Sequence, residues 1–166
     1  ANPGDGIART EYGATTLRAA IEEANALPGA DVINMPGGAP RFEWNAWIWG
    51  ELQVADDLTI DGDFDGNYGS SILEQEAARL LSVSEGVSLT LRCLYIGQGT
   101  AERGGAVWVG RGARLTAIES SIHSHGAIQG GAIYNECGHV ELIDSSCSAR
   151  ASAGGGIYND AGTLVW

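Results

Sequence analysis

The sequence predicts an all-β fold, a right-handed parallel β-helix built from coils of about 25 residues with one N-terminal capping helix. Three observations predict it: an internal repeat, a two-residue alternation of apolar and polar side chains, and glycine pairs at fixed places between the alternating runs. Residues 89–113, 115–139 and 140–163 align so that Gly104, Gly105, Ala106, Val107 and Trp108 fall on Gly130, Gly131, Ala132, Ile133 and Tyr134, and on Gly154, Gly155, Gly156, Ile157 and Tyr158. The residues that lead the repeats, Leu89, Leu115, Val140 and Leu164, stand 26, 25 and 24 positions apart. A period of that length without a long helical pattern marks one supersecondary unit stacked on the next.

Each element follows in chain order. Residues 1–14 are polar and glycine-rich and read as an extended lead-in. Leu17, Ala20, Ile21 and Ala24 recur at helical spacing, with Thr15 or Thr16 as N-cap and Pro28 and Gly29 as the stop. The apolar stripe of this helix is expected to cover the open end of the first coil, which would otherwise expose core side chains and unpaired strand edges. Strands are expected at 31–35, in the alternating run 42–49, at 52–54 and 58–60, then at 71–76 and 80–83. From residue 87 three clear coils follow. Leu89, Leu115, Val140 and Leu164 form one inward column, Ile96, Ile122 and Cys147 a second, Val107, Ile133 and Ile157 a third. The last residues, Leu164, Val165 and Trp166, read as the first strand of an incomplete coil, so the whole is expected to be one domain, with 1–30 as lead-in and cap and 31–166 as coils.

The repeat resembles the coil of bacterial surface β-helix proteins related to pectate-lyase-like folds and polymorphic outer-membrane proteins. Ser120, Gly130, Gly131, Ile133, Tyr134 and Asn135 carry the match in one coil and residues 154–159 in the next. Residues 15–21 are similar to the CSLREA-like motif that opens the N-terminal cap of such proteins, with Thr15 in the place of its cysteine and Ala19 in the place of its glutamate. The resemblance implies a secreted or cell-surface protein. It leaves the activity open, since this architecture hosts adhesins, lyases and structural spikes alike.

Nine Lys and Arg against 21 Asp and Glu leave a net charge of −12, which repels nucleic acid and anionic membrane surfaces. No stretch approaches transmembrane length. Cys93, Cys137 and Cys147 are an odd number without metal-ligand spacing, and read as small buried or corner residues.

Departures from the family pattern gather in the second strand of each coil. If Ile96, Ile122 and Cys147 point inward, then Tyr95, Gly97, Gly99, Ser121, His123, His125, Ser146, Ser148 and Arg150 point outward. Ile72, Glu74 and Glu76 are expected to extend that face by one coil, with Gly97 and Gly99 as its low floor. Trp47 and Trp49 join it as aromatic anchors if they also face outward. Such a mixture of rigid rings and small polar groups suits recognition, so the expected function is a non-enzymatic module that binds a protein or glycan partner through this face, which could be an engineered or diversified one.

Self-association is the further possibility, through the uncapped C-terminal coil or the outer sheet face. The competing reading is a carbohydrate-active enzyme, a hydrolase or lyase working through Glu and His groups on the same face. Ser121 or Ser148 beside His123 or His125, with Glu74 or Glu76 as orienter, names the members of a nucleophilic triad. Glu74 and Glu76, about 7 Å apart along one strand, have a separation that glycosidases use. Against both stands geometry, because side chains standing parallel on a sheet do not converge. No cofactor is expected, apart from calcium at the turn 61–67. There Asp61, Asp63 and Asp65 precede Gly66 as in the first half of a calcium loop, although position twelve would be Ile72, and a plain Asp-Gly corner accounts for the same residues.

Overall fold

A computed structural model describes residues 3–8, 15–35, 41–44, 50–63, 70–74 and 78–166, with backbone alone at 41–44, 70–74 and 125. It is an all-β parallel solenoid, a β-helix of about four turns. A single helix, α1 (Leu17–Ala26), precedes the strands. These are β1 (Asp31–Asn34), β2 (Arg41–Trp44), β3 (Leu52–Val54), β4 (Leu58–Asp61), β5 (Ser70–Glu74), β6 (Leu81–Val83), β7 (Ser88–Arg92), β8 (Leu94–Arg103) and β9 (Val107–Val109). They continue as β10 (Arg114–Ile118), β11 (Ser121–Gln129), β12 (Ile133–Glu136), β13 (His139–Ile143), β14 (Ser146–Ser148), β15 (Ala151–Ala153), β16 (Ile157–Asp160) and β17 (Thr163–Val165).

Every third strand returns to the same sheet as far as β14, after which the extra strand β15 shifts the count by one. The first sheet runs β1-β4-β7-β10-β13-β17, the second β2-β5-β8-β11-β14 with β15 also on β11, and the third β3-β6-β9-β12-β16. All pairings are parallel, and their registers reproduce the sequence columns. Leu58, Leu89, Leu115, Val140 and Leu164 are successive partners in the first sheet. Ile72, Ile96, Ile122 and Cys147 stack in the second, and Leu52, Leu81, Val107, Ile133 and Ile157 in the third. The side chains of Leu89, Ile96, Leu115, Ile122, Val107 and Ile133 are fully buried and fill the bore, each contributing about 1.5–3 kcal/mol of transfer free energy.

The cap works as the stripe requires. Thr16 is the N-cap, its hydroxyl accepting from the Ala19 amide at 3.2 Å, and Leu17, Ile21 and Ala24 are buried against the coil, while Ala20 is half-buried and Ala19 is buried outside that core cluster. Helix side chains also satisfy the edge of β3. Asn25 Nδ2 donates to the Gln53 carbonyl and Asn25 Oδ1 accepts from the Ala55 amide, both at 2.8 Å, as a neighbouring strand would. Arg18 donates to the carbonyls of Gly50 and Glu51 at 2.6 and 3.2 Å. Buried Glu23 gathers the lead-in by accepting from the amides of Gly4 and Gly6.

Three corners separate the sheets. The corner from first to second sheet places Cys93, Glu119 and Asp144 in the left-handed region, with φ of 51°, 48° and 48°. The corner from second to third uses Gly104, Gly130 and Gly154, with φ of 59°, 61° and 72°. Inside the third corner, buried Asn135 accepts from the Gly138 amide and donates to Asn159 Oδ1 at 2.7 Å and to the carbonyls of Gly138 and Thr163. That rung of side-chain amides closes the last coils, where the earlier coils have Val54, Val83 and Val109 in the same column.

Candidate recognition face

The outer face of the second sheet holds most of the predicted residues that are described. Tyr95, Ser121 and Ser146 are successive partners in register, with Ser71 before them, and Ser148 pairs with His123. Tyr95 is 42% exposed, and its ring lies 5.2 Å from that of His123 at a 31° tilt. Both imidazole nitrogens are engaged. Nε2 meets Ser121 Oγ at 3.0 Å, and Nδ1 meets Ser148 Oγ at 2.5 Å. Ser121 Oγ continues to Ser146 Oγ at 2.5 Å. A chain of hydroxyls and one imidazole therefore crosses two coils, and because each hydroxyl can donate or accept, either tautomer of the ring is satisfied. Arg150 is exposed at the end of this face.

Gly97 and Gly99 do not form an exposed floor. Both are buried, and a Cβ on Gly99 would run into the Gly105 carbonyl across the bore. Gly97, as the partner of Leu73, keeps the phase of Tyr95; past it the two-residue phase fails because the strands are bulged. Ile96 pairs with Ile122, but Gly99 then pairs with Ser124 and Thr100 with Gly126. One extra residue on β8, beside Gln98 with φ 73°, is compensated by one on β11 at His125. Ser124 holds the bulge, its hydroxyl donating to the Gly99 carbonyl at 2.5 Å. His125 is thereby taken out of register with β8, and its side chain lies outside the description.

The expected extension through β5 is also corrected. Ile72 pairs with Ile96, a bore residue, while Ser71 and Leu73 pair with Tyr95 and Gly97. Glu74 is thus one residue out of phase with Tyr95, since a one-residue slip exchanges the faces of a strand. Trp47, Trp49, Glu76 and Asp65 lie outside the described residues. Asp61 ends β4, where Oδ2 accepts from Arg92 at 2.8 Å and Oδ1 from the Asp63 amide at 3.0 Å. Among the described residues no three His, Cys, Asp or Glu lie close enough to share a metal ion.

Two shallow hollows flank the hydroxyl chain. The smaller, about 450 Å³, is bounded by His123, Ser124, Ser148, Ala149 and Arg150. The larger, about 800 Å³, is a groove at the corner between the first and second sheets. Tyr95, Ser121 and Ser146 form one wall and Cys93, Glu119 and Asp144 the other, with Asp63 at its near end. Its floor is Leu94, Ser120 and Ser145. The two serines are spent on structure: Ser120 Oγ donates to the Ile118 carbonyl at 2.8 Å and accepts from the Leu94 amide at 3.1 Å, while Ser145 Oγ bonds the Ile143 carbonyl and the Ser120 amide. Cys93 Sγ lies 3.4 Å from Glu119 Oε2. Desolvation first, and then that carboxylate, raise the thiol pKa and keep the sulfur protonated.

Sequence reading missed this carboxylate wall, although Cys93, Glu119 and Asp144 recur with the period of the repeat. It missed an aromatic column as well, in which Tyr134 is buried and Trp108 and Tyr158 are half-buried. Trp108, Tyr134 and Tyr158 are register partners in the third sheet, and the two tyrosine rings stack 5.5 Å apart at 2° with Arg103 over Tyr134 at 5.3 Å. Burial and the bond from Tyr134 to Asp160 Oδ2 raise the Tyr134 pKa, so it remains a donor. The signal was present, since alternation from inward Val107, Ile133 and Ile157 sends each following aromatic out.

Among the described residues no helix is long and apolar enough to cross a membrane. No protein-family model matches the chain, and neither a curated protein nor a solved structure is similar enough to count as a match.

Proposed function

We propose that the protein is a non-enzymatic recognition module that binds a protein or glycan partner through the outer face of its second sheet. The observation that carries the reading is the exposed Tyr95 ring packed beside His123, within a chain of hydroxyls from Ser121, Ser146 and Ser148. A half-exposed ring offers apolar area that loses little entropy on binding, and hydroxyls that can donate or accept adapt to a partner's polar groups. The parallel strands hold these groups at about 4.8 Å intervals on a rigid scaffold. The resemblance of the coils and cap to bacterial surface β-helix proteins supports placing this activity outside the cell.

The Ser121 to His123 contact is the one feature that favours hydrolysis. Against it, the second imidazole nitrogen meets the hydroxyl of Ser148, where a triad needs a carboxylate to hold the tautomer and stabilise imidazolium. The hollows beside it are open to water, which weakens any electrostatic stabilisation of a transition state.

The test is a panel of immobilised glycans and surface proteins probed with the native chain and with a Tyr95→Ala, His123→Ala variant whose unfolding midpoint matches the native one. Removing an anchor ring and its polar neighbour should weaken a genuine partner by about thirtyfold or more. A partner bound equally by both proteins would defeat the proposal. So would glycan hydrolysis that disappears in Ser121→Ala.

A further inference from the structure

The smaller hollow on this face sharpens the recognition reading, and the inference from it rests on that reading. The corner groove is lined by Asp63, Glu119 and Asp144, whereas the hollow bounded by His123, Ser124, Ser148, Ala149 and Arg150 holds no carboxylate. In a chain of net charge −12, an arginine here goes unopposed: Arg150 is exposed and, among the described residues, forms no salt bridge. Ser124 is already committed to the bulge, donating to the Gly99 carbonyl and accepting from the Gly126 amide. Ser148 is not. When His123 carries its proton on Nδ1 it donates to Ser148 Oγ while Nε2 accepts from Ser121, and the Ser148 hydroxyl keeps its own proton for the hollow. Arg150 and Ser148 are then two donors available to one anion.

The hollow is too open to enclose a free small molecule as a ligand pocket does, so the anion it suits is part of something larger. Tyr95 stands exposed beside His123. Ile128 is 56% exposed, one residue past Ala127, whose amide donates to the Arg150 carbonyl at 3.2 Å. An exposed aliphatic side chain gives little to a hydroxyl-covered sugar and packs well on an apolar protein side chain. Tyrosine and arginine are the residues that anchor protein interfaces.

We propose that the hollow seats the carboxylate of an aspartate or glutamate from a protein partner, with apolar residues next to that acid lying on Ile128 and Tyr95. Arg150 and Ser148 hold the carboxylate, and His123 is a positioning residue that turns the Ser148 hydroxyl toward it. Elsewhere the net charge resists an acidic segment, so the hollow decides where such a segment seats.

The probe is the capped peptide acetyl-Leu-Asp-Leu-amide, followed by amide and imidazole nitrogen shifts, with acetyl-Leu-Asn-Leu-amide as the neutral counterpart. Shifts should concentrate at residues 123–124, 128 and 148–150, the His123 ring should move toward the tautomer protonated on Nδ1, and the asparagine peptide should bind about fivefold more weakly. Arg150→Gln should weaken the aspartate peptide by a similar factor of about five. Arg114→Gln, on the first sheet, changes the net charge equally and should alter binding less than about twofold. Ser148→Ala should remove the tautomer shift, which a merely structural serine would leave in place. Equal losses in the two arginine variants, or equal binding of the two peptides, would overturn the proposal. Glucuronate shifting the same residues as strongly as the aspartate peptide would also overturn it, in favour of an acidic sugar. A panel partner that is lost in the Tyr95→Ala, His123→Ala variant but held fully by Arg150→Gln would remove this inference and keep the recognition face.

Discussion

Two corners of the same solenoid adopt the same left-handed backbone for opposite reasons. Between the second and third sheets the left-handed residue is glycine in three successive coils, Gly104, Gly130 and Gly154. The glycine hydrogen that a Cβ would replace has no room behind it: a Cβ on Gly130 would strike the Ile133 carbonyl, and one on Gly154 would lie 2.6 Å from the Ile157 carbonyl and 2.8 Å from Tyr158 Cβ. Between the first and second sheets the same φ is held by Cys93, Glu119 and Asp144, whose side chains stand in a groove. A left-handed residue other than glycine costs about 1–2 kcal/mol. One corner cannot accept a side chain, whereas the other accepts three at a cost, and that contrast marks where the fold dictates the residue and where something else chooses it.

The contrast breaks most visibly by giving the closed corner a side chain. Gly130→Ala adds the left-handed penalty to an overpacking cost of about 1–3 kcal/mol, so a loss of about 3 kcal/mol is expected in urea unfolding. A loss under about 1 kcal/mol would mean that the corner yields, and the distinction between the two corners would lapse. The third corner gives the next largest effect. Asn135→Ala strands the buried Gly138 amide and takes a donor from Asn159 Oδ1 and from the Gly138 and Thr163 carbonyls, the first of which keeps the Thr163 amide, for about 2 kcal/mol. Asn135→Asp should be nearly as costly, because a carboxylate cannot replace the amide's donors.

Cys147, in the inward column of the second sheet, gives the next effect. Burial pushes the Cys147 thiol up to about 12 from a reference of 9.0. Its neutral form is favoured by folding, so the contribution is complete below pH 9 and is lost as the pH rises from 9 towards 12. The loss relative to Cys147→Val should reach about 1.4 kcal/mol near pH 10. Stability curves of the two proteins that stay parallel across that range would place the sulfur in water.

Much of this was readable from residues alone, and the failures have a physical pattern. The three inward columns, the Thr16 cap and the helix stripe were legible because burial repeats at a fixed interval and a cap has fixed chemistry. The bulges at Gln98 and His125 were not. They insert one residue on each of two paired strands, so the repeat length is unchanged while the phase between 97 and 99 is reversed. The hydroxyl chain to His123 emerged only in part: alternation predicted that Ser121, His123 and Ser148 share a face, but which atoms meet depends on side-chain rotation. The carboxylate wall was overlooked because Cys93, Glu119 and Asp144 differ in chemistry and share only a backbone conformation that local sequence does not announce.

The smallest expected effect lies at the open corner. Glu119→Gly removes a left-handed penalty of about 1 kcal/mol, while the added freedom of glycine in the unfolded chain takes back about 0.4–1 kcal/mol. Among the described residues the only hydrogen-bonding contact given up is the one to Cys93 Sγ at 3.4 Å on an exposed corner. The unfolding midpoint should therefore move by no more than about 0.5 kcal/mol in either direction. Asp144→Gly should behave in the same way, and the two together should remain additive, since neither side chain supports the other. If instead either change destabilises by more than about 1.5 kcal/mol, the carboxylates are structural props of the corner.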